Sequence, residues 1–153
     1  MRTRVNLNEL IQQVTTITAG SIKSNNIILN VRSANSQPPW VMGDPIQLQQ
    51  VILNLVMNAV EAISHSEDGG RTLLLTTRVN PDAILLTVAN SGSPVDPEVV
   101  EKMFQPFFTT KPSGMGMGLA ICKTIIEAHG GSLTAKPRAH GGMEFQVTLP
   151  RMT

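Results

Sequence analysis

DPIQLQQVILNLVMNAVEAISH, residues 44–65, is the stretch that decides the fold. At about 100° per residue, Gln47, Gln50, Asn54, Asn58, Glu61 and His65 fall within one narrow sector. Almost every other position is Ile, Leu, Val, Met or Ala. A helix of this composition is expected to be buried nearly all round, with amides and one carboxylate on the face that remains. Desolvating an unpaired amide costs roughly 1–3 kcal/mol. The row must therefore face water, a partner network or a polar ligand. Read alone, the stripe also fits the solvent face of an ordinary surface helix. Asp44 caps the helix, and Pro45 takes its first position, where a missing N–H does no harm.

Upstream, Leu7, Leu10, Ile11, Val14, Ile17 and Ile22 keep helical spacing over residues 7–23. Asn6 with Glu9 resembles a capping box, so the chain is expected to open directly on this helix. Residues 27–32 read as a strand, 35–39 as a turn and 40–42 as a short strand. Downstream, 67–70 is a polar turn. Residues 72–79 and 83–89 alternate as two strands about an Asn80-Pro81-Asp82 turn. A loop of Asn, Ser, Gly, Pro and Asp covers 90–97, and Asp96 with Pro97 starts a short helix through Met103. Residues 103–116 are expected to be disordered without a ligand. Residues 117–129 form a helix ended by Gly130-Gly131. Strands 132–136 and 143–149 flank a His140-Gly141-Gly142 turn. Helix, strands, helix, hairpin, helix, hairpin is not the regular alternation of a parallel sheet. The order predicts an α+β sandwich with helices on one face of a mixed sheet.

A length of 153 residues with 41% hydrophobic content suits one domain with a real core. A net charge of +1 excludes a general nucleic-acid binder, which would carry a basic patch. The single cysteine, Cys122, excludes an internal disulfide and fits a reducing compartment. No run approaches 18 uncharged apolar residues, and no signal peptide is evident.

Three segments besides the stripe could carry chemistry. Val88-Ala89-Asn90-Ser91-Gly92-Ser93-Pro94-Val95 ends a strand, where a polar side chain can read a base edge; taken alone it is a turn. Phe104-Gln105-Pro106-Phe107-Phe108-Thr109-Thr110-Lys111 sets two hydroxyls and an ammonium, a usual phosphate partner, ahead of a glycine loop. Gly114-Met115-Gly116-Met117-Gly118-Leu119 opens a helix with alternate glycines. Such a loop lets backbone N–H groups approach a phosphate, and the helix N-terminus favours its charge. In the stripe, Asn54 and Asn58 lie one turn apart, so both amide oxygens can point to one spot. Hard oxygen ligands of this kind suit Mg²⁺.

These segments, in this order and spacing, resemble the ATP-binding catalytic domain of bacterial sensor histidine kinases, closest to the nitrogen-regulation and oxygen-sensing type. Asn54 to Ala62 looks like the N box, Asn90 to Val95 the G1 box, Phe104 to Lys111 the F box and Gly114 to Leu119 the G2 box. His129-Gly130-Gly131 through Leu149-Pro150 is similar to the closing hairpin. The resemblance implies a two-layer sandwich of the Bergerat type over a single domain, 1–153. It implies a transferase that passes the γ-phosphoryl group of ATP to a histidine on a separate helical domain. Asn58, with Asn54 nearby, would hold Mg²⁺ against the phosphates, and Glu61 would flank them. Lys111, Thr109 and Thr110 would sit near the terminal phosphates. Gly114, Gly116 and Gly118 would offer backbone amides, with Leu119 beside them. Asn90 and Gly92 would form the adenine end. Gln47 and His65 would only meet water.

Two departures stand out. The G1 box of the family reads Asp-x-Gly-x-Gly; here Asn90 and Pro94 replace its Asp and second Gly. An amide in place of the carboxylate still offers one carbonyl oxygen, but its NH₂ is a donor where an acceptor is wanted, and a charge-assisted bond becomes a neutral one, a loss of about 1–3 kcal/mol or roughly ten- to a hundredfold in affinity. Nucleotide binding would be weakened, and the alternative reading is a degenerate domain that acts as an interaction module. His65, His129 and His140 all lack the context of a phosphoacceptor. The chain therefore reads as a fragment of a longer kinase, cytoplasmic, with its dimerisation and phosphoacceptor domain and a response regulator as partners. Neither nucleic acid nor membrane contact is expected.

Overall fold

The computed structural model describes residues 1–33, 37–66, 70–105 and 118–152. In chain order the elements are β1 (Thr3–Asn6), α1 (Leu7–Ser24), β2 (Ile28–Arg32), β3 (Trp40–Gly43), α2 (Pro45–Ser64), β4 (Thr72–Val79), β5 (Ala83–Asn90), α3 (Pro97–Lys102), α4 (Gly118–Ala128), β6 (Ser132–Pro137) and β7 (Met143–Pro150). This is the α+β architecture the sequence predicts. A five-stranded sheet runs β2-β4-β5-β7-β6. β2 and β4 are parallel and the other pairs antiparallel, so the sheet is mixed.

Period-two alternation puts Leu73, Leu75, Ile84, Leu86, Val88, Phe145, Val147 and Leu149 on one buried face. Their neighbours, such as Thr76, Thr87, Gln146 and Thr148, are only half-buried. One face meets the helices and the other is open, the usual state of a largely antiparallel sheet. α2 lies over β5 with α1 and α4 on its flanks. Leu48, Val51, Ile52, Leu55, Val56, Ala59, Val60 and Ile63 form its buried side at three- and four-residue spacing. Length and composition alone would let this helix cross a membrane; here it is the middle of the core.

Two expectations are corrected. The chain does not open on a helix. β1 precedes α1 and pairs antiparallel with β3, Thr3 opposite Gly43. Four residues carry too little alternation to read as a strand until the partner is known. Second, α2 is not buried nearly all round: Ile46 is 77% and Met57 38% exposed. Three neighbours cover its base and flanks, and its outer side meets solvent.

The caps behave as the sequence predicts at α2 and differently at α1. The Asp44 carboxylate accepts from Ile46 N–H at 3.0 Å and Gln47 N–H at 3.3 Å. Asn6 caps α1 through its Oδ1, which accepts from Asn8 N–H at 2.9 Å.

α4 ends on the buried His129. Its Nδ1 lies 2.8 Å from the Ile125 carbonyl, and its Nε2 accepts from Asp44 N–H at 3.1 Å. Together these bonds select the neutral tautomer with hydrogen on Nδ1. The Arg2 guanidinium adds a bond to the Ala128 carbonyl. The last turn of α4 is thus tied to the first turn of α2. His129→Ala would orphan the Asp44 N–H and leave a cavity. It is expected to cost about 1–3 kcal/mol, read as a lower urea midpoint at unchanged slope. An unchanged midpoint would mean that this tie contributes nothing.

Candidate functional site

A cavity of about 440 Å³ opens at one end of the helix layer. Asn58, Glu61, Ala62 and His65 of α2 form one wall. Steps of three and four residues put Asn58, Glu61 and His65 on one helical face. Asn90, the last residue of β5, stands opposite. It shares the sheet face of Val88 and Leu86, so strand alternation aims it at the helix layer. Val95, Val99 and Met103 close one side, and Leu119, Met143 and Phe145 another. The body of the cavity is apolar and its polar groups converge from two elements, the usual form of a small-molecule site.

Asn90 is 2% exposed. Its Nδ2 donates to the Ser91 carbonyl at 2.8 Å, which assigns the two ends of the amide. Among the described residues its Oδ1 has no hydrogen-bond partner, and the residue lines the cavity. The NH₂ group is turned into the backbone, which leaves the carbonyl oxygen that the sequence still offers as the remaining edge. The acceptor faces the cavity.

The loop after Asn90 is held from several directions. Ser91 Oγ accepts from Thr72 N–H at 2.8 Å and donates to the Gly70 carbonyl. Ser66 and Ser93 hydroxyls lie 3.1 Å apart. Gly142 N–H donates to the Ser93 carbonyl at 3.0 Å. The loop is therefore tied to the β6–β7 hairpin through Ser93 and needs no N–H from Pro94. Gly141 and Gly142 have φ of +100° and +87°, and their Cα atoms sit against the carbonyls of Gly92 and Asn90. A β-carbon on Gly142 would come within 1.9 Å of the Asn90 oxygen. Only glycine fits both the dihedral and the space.

Asn54 does not share the cavity with Asn58. Its Nδ2 donates to Cys122 Sγ at 3.6 Å, linking α2 to α4. Burial pushes the Cys122 thiol up from its ordinary value, and the Asn54 hydrogen bond offsets part of this. Phe104 stacks edge-on against Phe145, centroids 6.4 Å apart, with Lys123 Nζ 5.4 Å from the Phe104 ring centroid. Gly92 is buried beside Asn90, and Gly118 opens α4 with no atom of the described residues within 4 Å of where a β-carbon would lie. Thr109, Thr110, Lys111, Gly114 and Gly116 lie outside the described residues, as do Phe107, Phe108 and most of the segment 103–116 expected to be disordered; contrary to that expectation, its first residues Met103 and Phe104 pack against the core.

The cavity also contains residues that sequence reasoning passed over. His65, expected only to meet water, is exposed yet lines the rim. The alternation of β7 could have revealed Met143 and Phe145, because both share the face of Val147. No group of three or more His, Cys, Asp or Glu side chains forms a metal cluster among the described residues. Among the described residues on the α2 wall, Asn58 and Glu61 supply hard oxygens. This donor set suits a cation that takes its other ligands from water and phosphate, not a closed protein cage.

Residues 43–153 match the family described as histidine kinase-, DNA gyrase B-, and HSP90-like ATPase. The sensor protein TdiS of Thauera aromatica is 38% identical over 151 residues, 97% of this chain and 27% of that protein. The sensor protein FixL of Bradyrhizobium diazoefficiens is 39% identical over 145 residues, 94% of this chain and 28% of that protein. The chain thus spans about a quarter of the length of these two relatives. The nucleotide-free catalytic domain of histidine kinase ThkA superposes with a TM-score of 0.86 at 35% identity, covering 100% of this chain and 99% of that one. ThkA bound to the response regulator protein TrrA superposes at 0.83 and 34% identity, covering 99% of this chain and 42% of that one.

Proposed function

From the premise that this chain belongs to the histidine kinase-, DNA gyrase B-, and HSP90-like ATPase family, we propose that it binds Mg²⁺–ATP in the cavity and is the catalytic domain of a sensor histidine kinase. The observation that carries this reading is the pairing of Asn58 and Glu61 on α2 with the inward acceptor of Asn90 across an apolar space. Asn90 Oδ1 would accept a hydrogen bond from the exocyclic amine of adenine. Val95, Val99, Met103 and Leu119 cover the ring and keep water from that bond. Asn58 and Glu61 face the phosphate end, where Mg²⁺, when bound, offsets phosphate charge and orients the γ-phosphoryl group. Asn54, held by Cys122, keeps α2 seated against α4, and Asn58 carries the metal contact. Lys111, Thr109 and Thr110 contribute at the terminal phosphates, with the backbone amides of Gly114, Gly116 and Gly118.

The phosphoryl group then passes to a histidine on a separate helical domain of the parent protein. A response regulator is its onward acceptor, by analogy with ThkA and TrrA. A cytoplasmic site follows from the need for ATP. A neutral Asn90 does not by itself favour a degenerate domain, since its oxygen holds the acceptor position.

Calorimetric titration with Mg²⁺–ADP is expected to give a saturable signal with Kd below about 1 mM. No heat, together with no thermal shift at that concentration, would overturn the nucleotide reading.

A further inference from the structure

Asn90 carries opposite chemistry on the two edges of one amide: the oxygen accepts and the nitrogen donates. The side chain is 2% exposed, and its oxygen is the edge turned to the cavity. What holds it in that sense is one bond, Nδ2 to the Ser91 carbonyl at 2.8 Å. The last side-chain torsion of Asn is broad and roughly two-fold. A half-turn therefore exchanges the edges and offers an NH₂ to the cavity. It gives up the Ser91 bond and turns the amide oxygen toward the Ser91 carbonyl, a pair that one bridging water can satisfy in this half-buried spot, so the cost stays near that of one hydrogen bond. A carboxylate at this position would have no such second state, because both its edges accept.

From this geometry we infer that the base end of the cavity is a reversible reader of the purine 6-position. It prefers 6-aminopurine nucleotides and also admits 6-oxopurine nucleotides by turning the Asn90 amide. The inference rests on the nucleotide reading above and deepens it. The 6-amino group of adenine donates to Oδ1 in the resting orientation. A 6-oxo group accepts from Nδ2 after the turn, and the discrimination between them is set by the Ser91 bond. One neutral hydrogen bond corresponds to roughly five- to thirtyfold in affinity. Where no turn is possible, a buried acceptor facing an oxygen gives a far larger ratio, above about a hundredfold.

The test is calorimetry of the full chain in Mg²⁺ with ADP and with IDP, which carries oxygen in place of the 6-amino group. The wild-type ratio of Kd for IDP over ADP is expected to fall between about 5 and 30. In Asn90→Asp the ratio should exceed about 100, whatever happens to ADP itself. In Asn90→Ala, which removes both edges, it should fall within about threefold of unity. The Ala variant decides the matter should the Asp variant not fold: a ratio unchanged from wild type would show that this amide does not read the base. A wild-type ratio above about 50 would overturn the inference and leave nucleotide binding intact. Failure of ADP to bind at all would remove the nucleotide reading and this inference together.

Discussion

Gly142→Ala is expected to lower the melting temperature by about 6–20 °C and to abolish nucleotide binding at the base end. Gly142 has φ of +87°, a conformation that alone costs an L-residue roughly 1–2 kcal/mol. The new methyl would meet the Asn90 oxygen at 1.9 Å and the Asn90 and Ser91 carbonyl carbons at 2.9 Å. All three are backbone atoms, so no side chain can swing aside. Relief requires the start of β7 to leave β5 at the Asn90–Met143 pair, which also breaks the bond from Gly142 N–H to the Ser93 carbonyl. The combined loss is about 3–5 kcal/mol, and for a domain of this size each kcal/mol lowers the midpoint by about 2–4 °C. Gly20→Ala is the control. It sits within α1 with nothing within 4 Å of the added carbon, and is expected to be neutral or slightly stabilising. A change of less than about 2 °C in Gly142→Ala would show that the hairpin and the Asn90 loop are not fixed against each other.

Asn58→Ala is expected to weaken Mg²⁺–ADP binding by about ten- to a hundredfold, or 1.4–2.8 kcal/mol, while binding in EDTA stays the same. The selective loss separates a metal contact from a merely structural one. A variant that had lost packing would bind less well in both conditions. Asn58 is half-buried on the cavity side of α2, so circular dichroism and the melting temperature should stay close to wild type. If Mg²⁺ still strengthens ADP binding to the same degree, Asn58 does not touch the metal.

The frame of the fold was readable because its signals are local. Asp44-Pro45 marks the start of α2 within a few residues, and the three-four spacing fixes which side is buried. β4, β5 and β7 each alternate over eight residues, long enough for the period to be clear. β1 escaped because a four-residue strand depends on a partner 34 or more positions away in sequence. In the site, the same division holds. Asn58, Glu61 and Asn90 could be named from motifs, and the cavity brings them together. The turning of Asn54 to Cys122, 68 residues on, could not be foreseen from its place in the polar stripe. Nor could the orientation of the Asn90 amide, which one backbone carbonyl decides. The bond from Asp44 to His129 spans 85 residues and looks, in the sequence, like any helix-terminal histidine.

The contact between the Asn90 loop and the β6–β7 hairpin is made by backbone atoms, which has a consequence for variation. Ala139 and His140, at the exposed tip, can be exchanged for other residues with little effect on the base end. The number of residues there cannot change so easily. Arg138 N–H bonds the Gly142 carbonyl, and Gly142 N–H bonds Ser93, so one residue added or removed would shift the register of every contact beyond it. Related chains that keep this site should therefore drift freely in the letters of the hairpin tip while holding its length, and engineered insertions belong at other turns of the sheet.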